Sequence, residues 1–136
     1  MVEVKTYVLH GEVTVPAGSE VKADALASWR PDRDISIVGF MVKDSVNIDT
    51  FPFGNIQISE EAKYQEDVSG GIGVLADFEW DGGQKAFQKI FFLPPGLYFH
   101  IDRDEPIYLN GKFYNSSGSD AVASVEVIIY YVEGHR

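Results

Sequence analysis

The chain has 136 residues, 45% of them apolar and none of them cysteine. That is one domain's length with enough apolar side chains for a core, and it leaves out disulfides and thiolate metal sites. Twenty-one acidic residues against 11 basic ones give a net charge of −10, which disfavours a nucleic-acid partner and leaves cations or basic protein patches.

No apolar run nears the ~18 residues of a membrane helix. The N-terminus, Met-Val-Glu-Val-Lys-Thr-Tyr, lacks the basic start and apolar block of a secretion signal. A single soluble domain over residues 1–136, made in the cytosol and without a membrane partner, is expected.

Val2 to Leu9 alternates apolar and polar residues, Gly11 breaks the pattern, and Glu12-Val13-Thr14-Val15 resumes it. Pro16-Ala17-Gly18-Ser19 has the chemistry of a turn. Glu20 to Leu26 reads as a short strand or a loose turn, because Ala23, Ala25 and Ala27 weaken a strand. Trp29 to Asp34 reads as a loop, with Pro31 stopping pairing. Ile35 to Lys43 is a buried strand pattern, in which Gly39 marks a bulge or the close approach of another backbone. Asn55 to Ser59 is a short strand after an irregular stretch.

Glu60 to Glu66 carries helix formers, and Ser69-Gly70-Gly71 limits them to two turns at most. Gly70-Gly71-Ile72-Gly73 precedes a strand instead of a helix, so it reads as loop and not as a phosphate cradle. Val74 to Trp80 alternates, and Asp81-Gly82-Gly83-Gln84 predicts a hairpin returning through Lys85 to Leu93. Pro94-Pro95-Gly96 is a turn before a strand from Leu97 to Ile101. Ile107 to Tyr114 is one strand, or a small hairpin turning at Asn110-Gly111. Ala121 to Glu133 has the strongest pattern, with Val125, Val127, Ile129 and Tyr131 on one side and Ile128, Tyr130 and Val132 on the other. Eight or nine short strands, at most one short helix and a turn about every ten residues predict an all-β antiparallel sandwich, of jelly-roll type first and immunoglobulin-like second.

The chemistry-bearing residues do not assemble into a motif. His10, His100 and His135 lie far apart in sequence, so the paired-histidine spacing of a metal-binding jelly-roll enzyme is missing. No Gly-x-Ser-x-Gly elbow occurs. Asp77, Glu79 and Asp81 share a strand face, and Asp102, Asp104 and Glu105 crowd a corner. Neither group has the spacing of a calcium loop, and both read as solvated surface. Asn115-Ser116-Ser117 matches a glycosylation acceptor but lacks an export signal to give it meaning. No catalytic, cofactor-binding or metal residue is assigned, and no enzyme activity is expected.

Aromatic content is 13%, more than one small core needs. The surplus suggests a subunit interface or a flat sugar platform, where rings give contact area at low entropic cost. Ile128, Tyr130, Val132, Tyr108 and Tyr114 are the candidates for an interface, and Trp29, Trp80 and Tyr98 for a glycan platform.

Short strands, Pro-Gly turns and an aromatic-aliphatic last strand are concentrated in four stretches. These are Val13-Thr14-Val15-Pro16-Ala17-Gly18-Ser19, Leu93-Pro94-Pro95-Gly96, Glu105-Pro106-Ile107-Tyr108-Leu109 and Val127-Ile128-Ile129-Tyr130-Tyr131-Val132. Together they make the chain resemble small β-sandwich virion proteins, of the capsid decoration, spike and minor capsid kinds. The resemblance implies a jelly-roll-like subunit that forms homo-oligomers, usually trimers, contacts capsid or other virion proteins and resides in the virion. No residue role comes with it. A carbohydrate-binding or lectin-like module is the alternative expectation.

Overall fold

A computed structural model describes residues 3–44, 47–66, 73–81 and 90–135. Its strands are β1 (Lys5–Val15), β2 (Glu20–Trp29), β3 (Ile35–Asp44), β4 (Phe53–Ser59), β5 (Val74–Trp80), β6 (Ile90–Phe92), β7 (Phe99–Ile101), β8 (Ile107–Tyr114) and β9 (Ala121–Glu133). No helix occurs among the described residues.

β9 seeds the first sheet, because period-two alternation of β-branched residues gives it one fully apolar side. Val125, Val127 and Ile129 on that side are all buried. β1 pairs along one edge of β9 and β3 along the other, both antiparallel. β6 and β7 then share the outer edge of β3, pairing with Gly39–Met41 and Ile35–Ile37 respectively. They act as one edge strand interrupted by the turn in which Leu97 N–H donates to Pro94 O.

The second sheet runs β2-β8-β4-β5, against β1-β9-β3-β6 with β7 in the first. Taking β6 and β7 as one, the two sheets have the strand orders of an eight-stranded, two-Greek-key jelly roll, in which the chain changes sheet at every step but β4 to β5. The expected sandwich is what forms. Its core interleaves Leu9, Ile37, Phe40, Val127 and Ile129 of the first sheet with Ile56, Ile58, Leu109 and Phe113 of the second. Each such side chain contributes about 1.5–3 kcal/mol on burial.

Several expectations need correction. β2 is a full strand to Trp29, broken by a bulge between Ala23 and Ala27 instead of ending before a loop. Ala25 sits in that bulge at a φ of 50°, a left-handed conformation that side chains resist. The Asn110 side-chain oxygen holds it there by accepting from Ala25 N–H at 2.7 Å. Ile107 to Tyr114, by contrast, is one strand as first expected, and its alternative, a small hairpin at Asn110-Gly111, does not occur.

The expected helix from Glu60 does not form over the described residues. Asp24 accepts from Tyr64 N–H at 2.8 Å, and the Gln57 side chain accepts from Gln65 N–H at 2.9 Å. Those donors are the ones a helix would need. The loop expected at Gly70 to Ile72 lies outside the described residues. β5 pairs with β4, and Ile90–Phe92 pairs with β3 in the other sheet, so that end of the expected return strand does not lie against β5. The turn placed at Gly82 to Gln84, and the return through Lys85 to Lys89, lie outside the described residues. The free edge of β3 accepts β6 because Gly39 carries no side chain. A Cβ there would collide with the Phe92 ring, which lies across the glycine to reach Tyr130 at 5.1 Å.

The C-terminal end of β9 is tied down electrostatically. Glu133 bonds Lys5 at 2.7 Å and Arg33 at 3.0 Å. These two cations, Lys5 first, hold its carboxyl below the ordinary glutamate value of 4.5. A depressed folded pKa gives stability that is present above 4.5 and lost as pH falls through the lower folded value. The stability margin of the wild type over Glu133→Gln is therefore expected to vanish on acidification below pH 4.5. Urea melts of both proteins across that range check it.

Candidate functional site

The outer face of the second sheet carries a cleft of about 500 Å³. Alternation builds it. In β4, Ile56 and Ile58 point into the core, so Phe53, Asn55 and Gln57 point out. In β5, Ala76, Phe78 and Trp80 point in, so Asp77 and Glu79 point out. In β8, Lys112 and Tyr114 take the outward positions on either side of the core residue Phe113.

Asn55 and Gln57 are nonetheless almost wholly buried, at 6% and 1% exposure. The segment from Glu60 to Glu66 lies over them. The Asn55 side-chain N–H groups donate to Asp77 at 2.8 Å and to Phe78 O at 3.0 Å. Its oxygen accepts from the Tyr64 hydroxyl at 2.6 Å. Gln57 donates to Gln65 O at 2.7 Å. Such a fully engaged polar network fixes side chains in one arrangement.

Burial, and then the charges of Glu66, Asp77 and Glu79, push the Tyr64 phenol up to about 12 from 10.0. It stays a neutral donor at physiological pH. Tyr64→Phe is expected to cost about 1 kcal/mol near pH 8, the net value of one hydrogen bond. The raised folded pKa means that the unfolded tyrosine ionises first. Stability therefore falls as pH rises from 10 towards 12, and the variant should close on the wild type there. Denaturant melts at pH 8 and pH 11.5 test this.

The opposite face, on the first sheet, is apolar and open. Strand register places Val8, Ile128, Met41 and Ile90 side by side in one row across β1, β9, β3 and β6. Val8 is 45% and Ile90 61% exposed. Tyr130 and Phe92 form the adjoining row. On one flank the surface turns polar, where His10 and Lys43 lie at 3.4 and 3.8 Å from Glu126.

The candidates from sequence scatter over these surfaces. Ile128 and Tyr130 lie half-buried on the outer face of the first sheet, and Val132 is buried at 3% exposure. Tyr108 and Tyr114 lie on the outer face of the second sheet, so the five residues cannot form one contact patch. The platform residues are equally dispersed. Trp29 is stacked on Tyr7 at 4.2 Å with 6° between planes, which occupies its face. Trp80 is buried and donates its indole N–H to Phe51 O at 2.9 Å. Tyr98 stacks near His100 at the edge of the first sheet.

His100 also stacks on His135, at 5.1 Å. His135 approaches Asp102 at 3.4 Å. Asp34, Asp102 and His135 form the one metal-competent group among the described residues, all exposed. Asp34 already accepts from Arg103 N–H at 2.9 Å. Asp77 and Glu79 share a face as expected, whereas Asp104 turns aside to Arg103 at 3.5 Å. Asn115 is fully buried and spans Val15 O and Ser119 O, both at 2.9 Å, so the acceptor motif is a structural brace.

The described residues thus form a jelly roll with one open apolar face and one polar cleft. No family model and no curated protein matches the chain. Among solved structures it is similar to a pilus protein of Bacillus endospore appendages, at 11% identity and a TM-score of 0.40, covering 98% of this chain and 92% of that one. Those pili are disulfide-linked, whereas this chain has no cysteine. It is also similar to the infectious bursal disease virus Gx strain structure, at 12% identity and a TM-score of 0.40 over 98% of this chain. There it spans 33% of the other chain's length. A third likeness is to the capsid of cyanophage Pam1, at 14% identity and a TM-score of 0.37, covering 96% and 86% of the two chains.

Proposed function

We infer that this chain is a non-enzymatic structural subunit of an assembled particle, working through protein–protein contacts. In its sharpest form it is a capsid decoration, minor capsid or spike subunit, a homo-oligomer taken as a trimer, resident in a virion and seated on capsid proteins. The observation that supports the reading is the exposed row Val8, Ile128, Met41 and Ile90 with Tyr130 and Phe92 beside it. A row crossing the whole sheet is an apolar surface of the kind that marks contact between proteins. A neighbouring copy is the cover proposed for it; in a trimer the contact is heterologous, so the row meets a different surface of the next copy.

Light scattering at micromolar concentration tests the self-contact, and pelleting with assembled empty shells tests the particle contact. A monomer that stays in the supernatant would remove both.

A further inference from the structure

We propose that the cleft on the second sheet binds a guanidinium group, presented as an arginine side chain by an extended segment of a partner protein. This concerns the sheet opposite the apolar row, so it stands or falls separately from the self-contact above.

Size comes first, since about 500 Å³ is the scale of a side chain or small ligand. Charge comes second. The cleft wall presents Glu20, Asp77, Glu79 and Asp81, and its lining lysine is Lys112. That lysine sits 3.8 Å from Glu66 and over the Tyr64 ring. Lys22 pairs with the same Glu66. Among the described residues neither Lys nor Arg forms an ion pair with Glu20, Asp77 or Glu79. Glu20, Asp77 and Glu79 thus bring three carboxylates without an ion-pair partner among the described residues to this cleft.

Shape decides which cation. Asp77 and Glu79 project from the same face of β5, two residues apart and so about 6.5–7 Å along the strand. Asp77 is held by Asn55, itself locked by Tyr64. Phe53, 53% exposed, and Tyr114 make a tilted aromatic pair at 6.2 Å on the adjoining wall. A planar, weakly hydrated cation can lie on such rings while its N–H groups reach carboxylate oxygens, which a compact ammonium does less well. The fixed carboxylate of Asp77 also lowers the entropy cost of capture.

The test uses the full chain, isotope-labelled, at low salt. A blocked Gly-Gly-Arg-Gly-Gly peptide is titrated, with its citrulline and lysine counterparts, free arginine and a panel of neutral hexoses as comparisons. The arginine peptide should shift the backbone amides of residues 55, 57, 77 and 79. Citrulline should weaken binding at least about tenfold and lysine about threefold, and free arginine should bind more weakly than the peptide. Glu79→Gln should weaken binding about tenfold with an unchanged melting temperature, while the distant Asp32→Asn should not change it.

Equal binding of citrulline, shifts confined to other surfaces, or no shifts at millimolar peptide would overturn the proposal. Free arginine binding as tightly as the peptide would overturn its protein source. Hexoses shifting the same amides with comparable strength would overturn the choice of a cation.

Discussion

Gly54→Val is expected to destabilise the domain by about 3 kcal/mol, the upper part of the range for forcing atoms into a packed core. For a domain of this size that is a fall of roughly 10 °C in Tm. A Cβ at Gly54 meets the Trp80 indole and, at 2.8 Å, the Lys112 carbonyl. The indole cannot rotate away without breaking its bond to Phe51 O and leaving a buried N–H unsatisfied. The carbonyl belongs to β8, which pairs with β4 at this point, so relief on that side means prying two strands apart. Gly54→Ala should cost less, because its single methyl meets the same atoms with fewer of its own. Chemical denaturation of the three proteins measures the series, and a valine variant within 1 kcal/mol of wild type would contradict the packing described here.

Ile128→Glu is expected to dissociate the self-associated form, raising its dissociation constant about 100-fold, while leaving the melting temperature of the monomer nearly unchanged. Ile128 is half-buried at the middle of the apolar row, between Val8 and Met41. A glutamate there would bring an unpaired charge into any contact that covers the row, beside the existing carboxylate of Glu126. The inward neighbours Val127 and Ile129 carry the core contribution of this part of β9, so folding should survive. Copies each carrying a net charge of −10 repel one another. Wild-type association should therefore strengthen with salt as that repulsion is screened. Analytical ultracentrifugation at two ionic strengths reads both effects. An unchanged assembly in the variant would move the contact to another surface.

The strands were legible in the sequence because burial on one side of a sheet imposes a period of two on the side chains. Ala121 to Glu133 could be placed from that period, and so could the outward direction of Asp77 and Glu79, while Ile35 to Lys43 showed itself by its apolar run. Gly39 announced a close approach by lacking a side chain in an apolar run, although what approaches is the Phe92 ring. The sandwich class followed from the spacing of the turns.

Partnership was not legible, because it depends on which edges remain free once other strands have paired. Ile90–Phe92 was expected beside β5 as the end of its return strand, yet it pairs with β3 in the other sheet. Helix propensity in Glu60 to Glu66 was real, but Asp24 and Gln57 captured the backbone donors from outside the segment. The same capture buries Asn55 and Gln57, two residues whose types gave no sign that they floor a cleft.

Along an unbroken strand, then, the order of residues settles which side of the sheet each side chain takes, since alternation makes that choice locally. Whether the outward side stays wet depends on what lies over it, and at Asn55 and Gln57 it does not. It took the assembled sheets to put Val8, Ile128, Met41 and Ile90 in one row, and to turn Tyr108 and Tyr114 the other way. Register and layer are properties of pairs of strands, set by hydrogen bonds between residues up to about 120 positions apart in the case of Val8 and Ile128. No single stretch of chain contains that information.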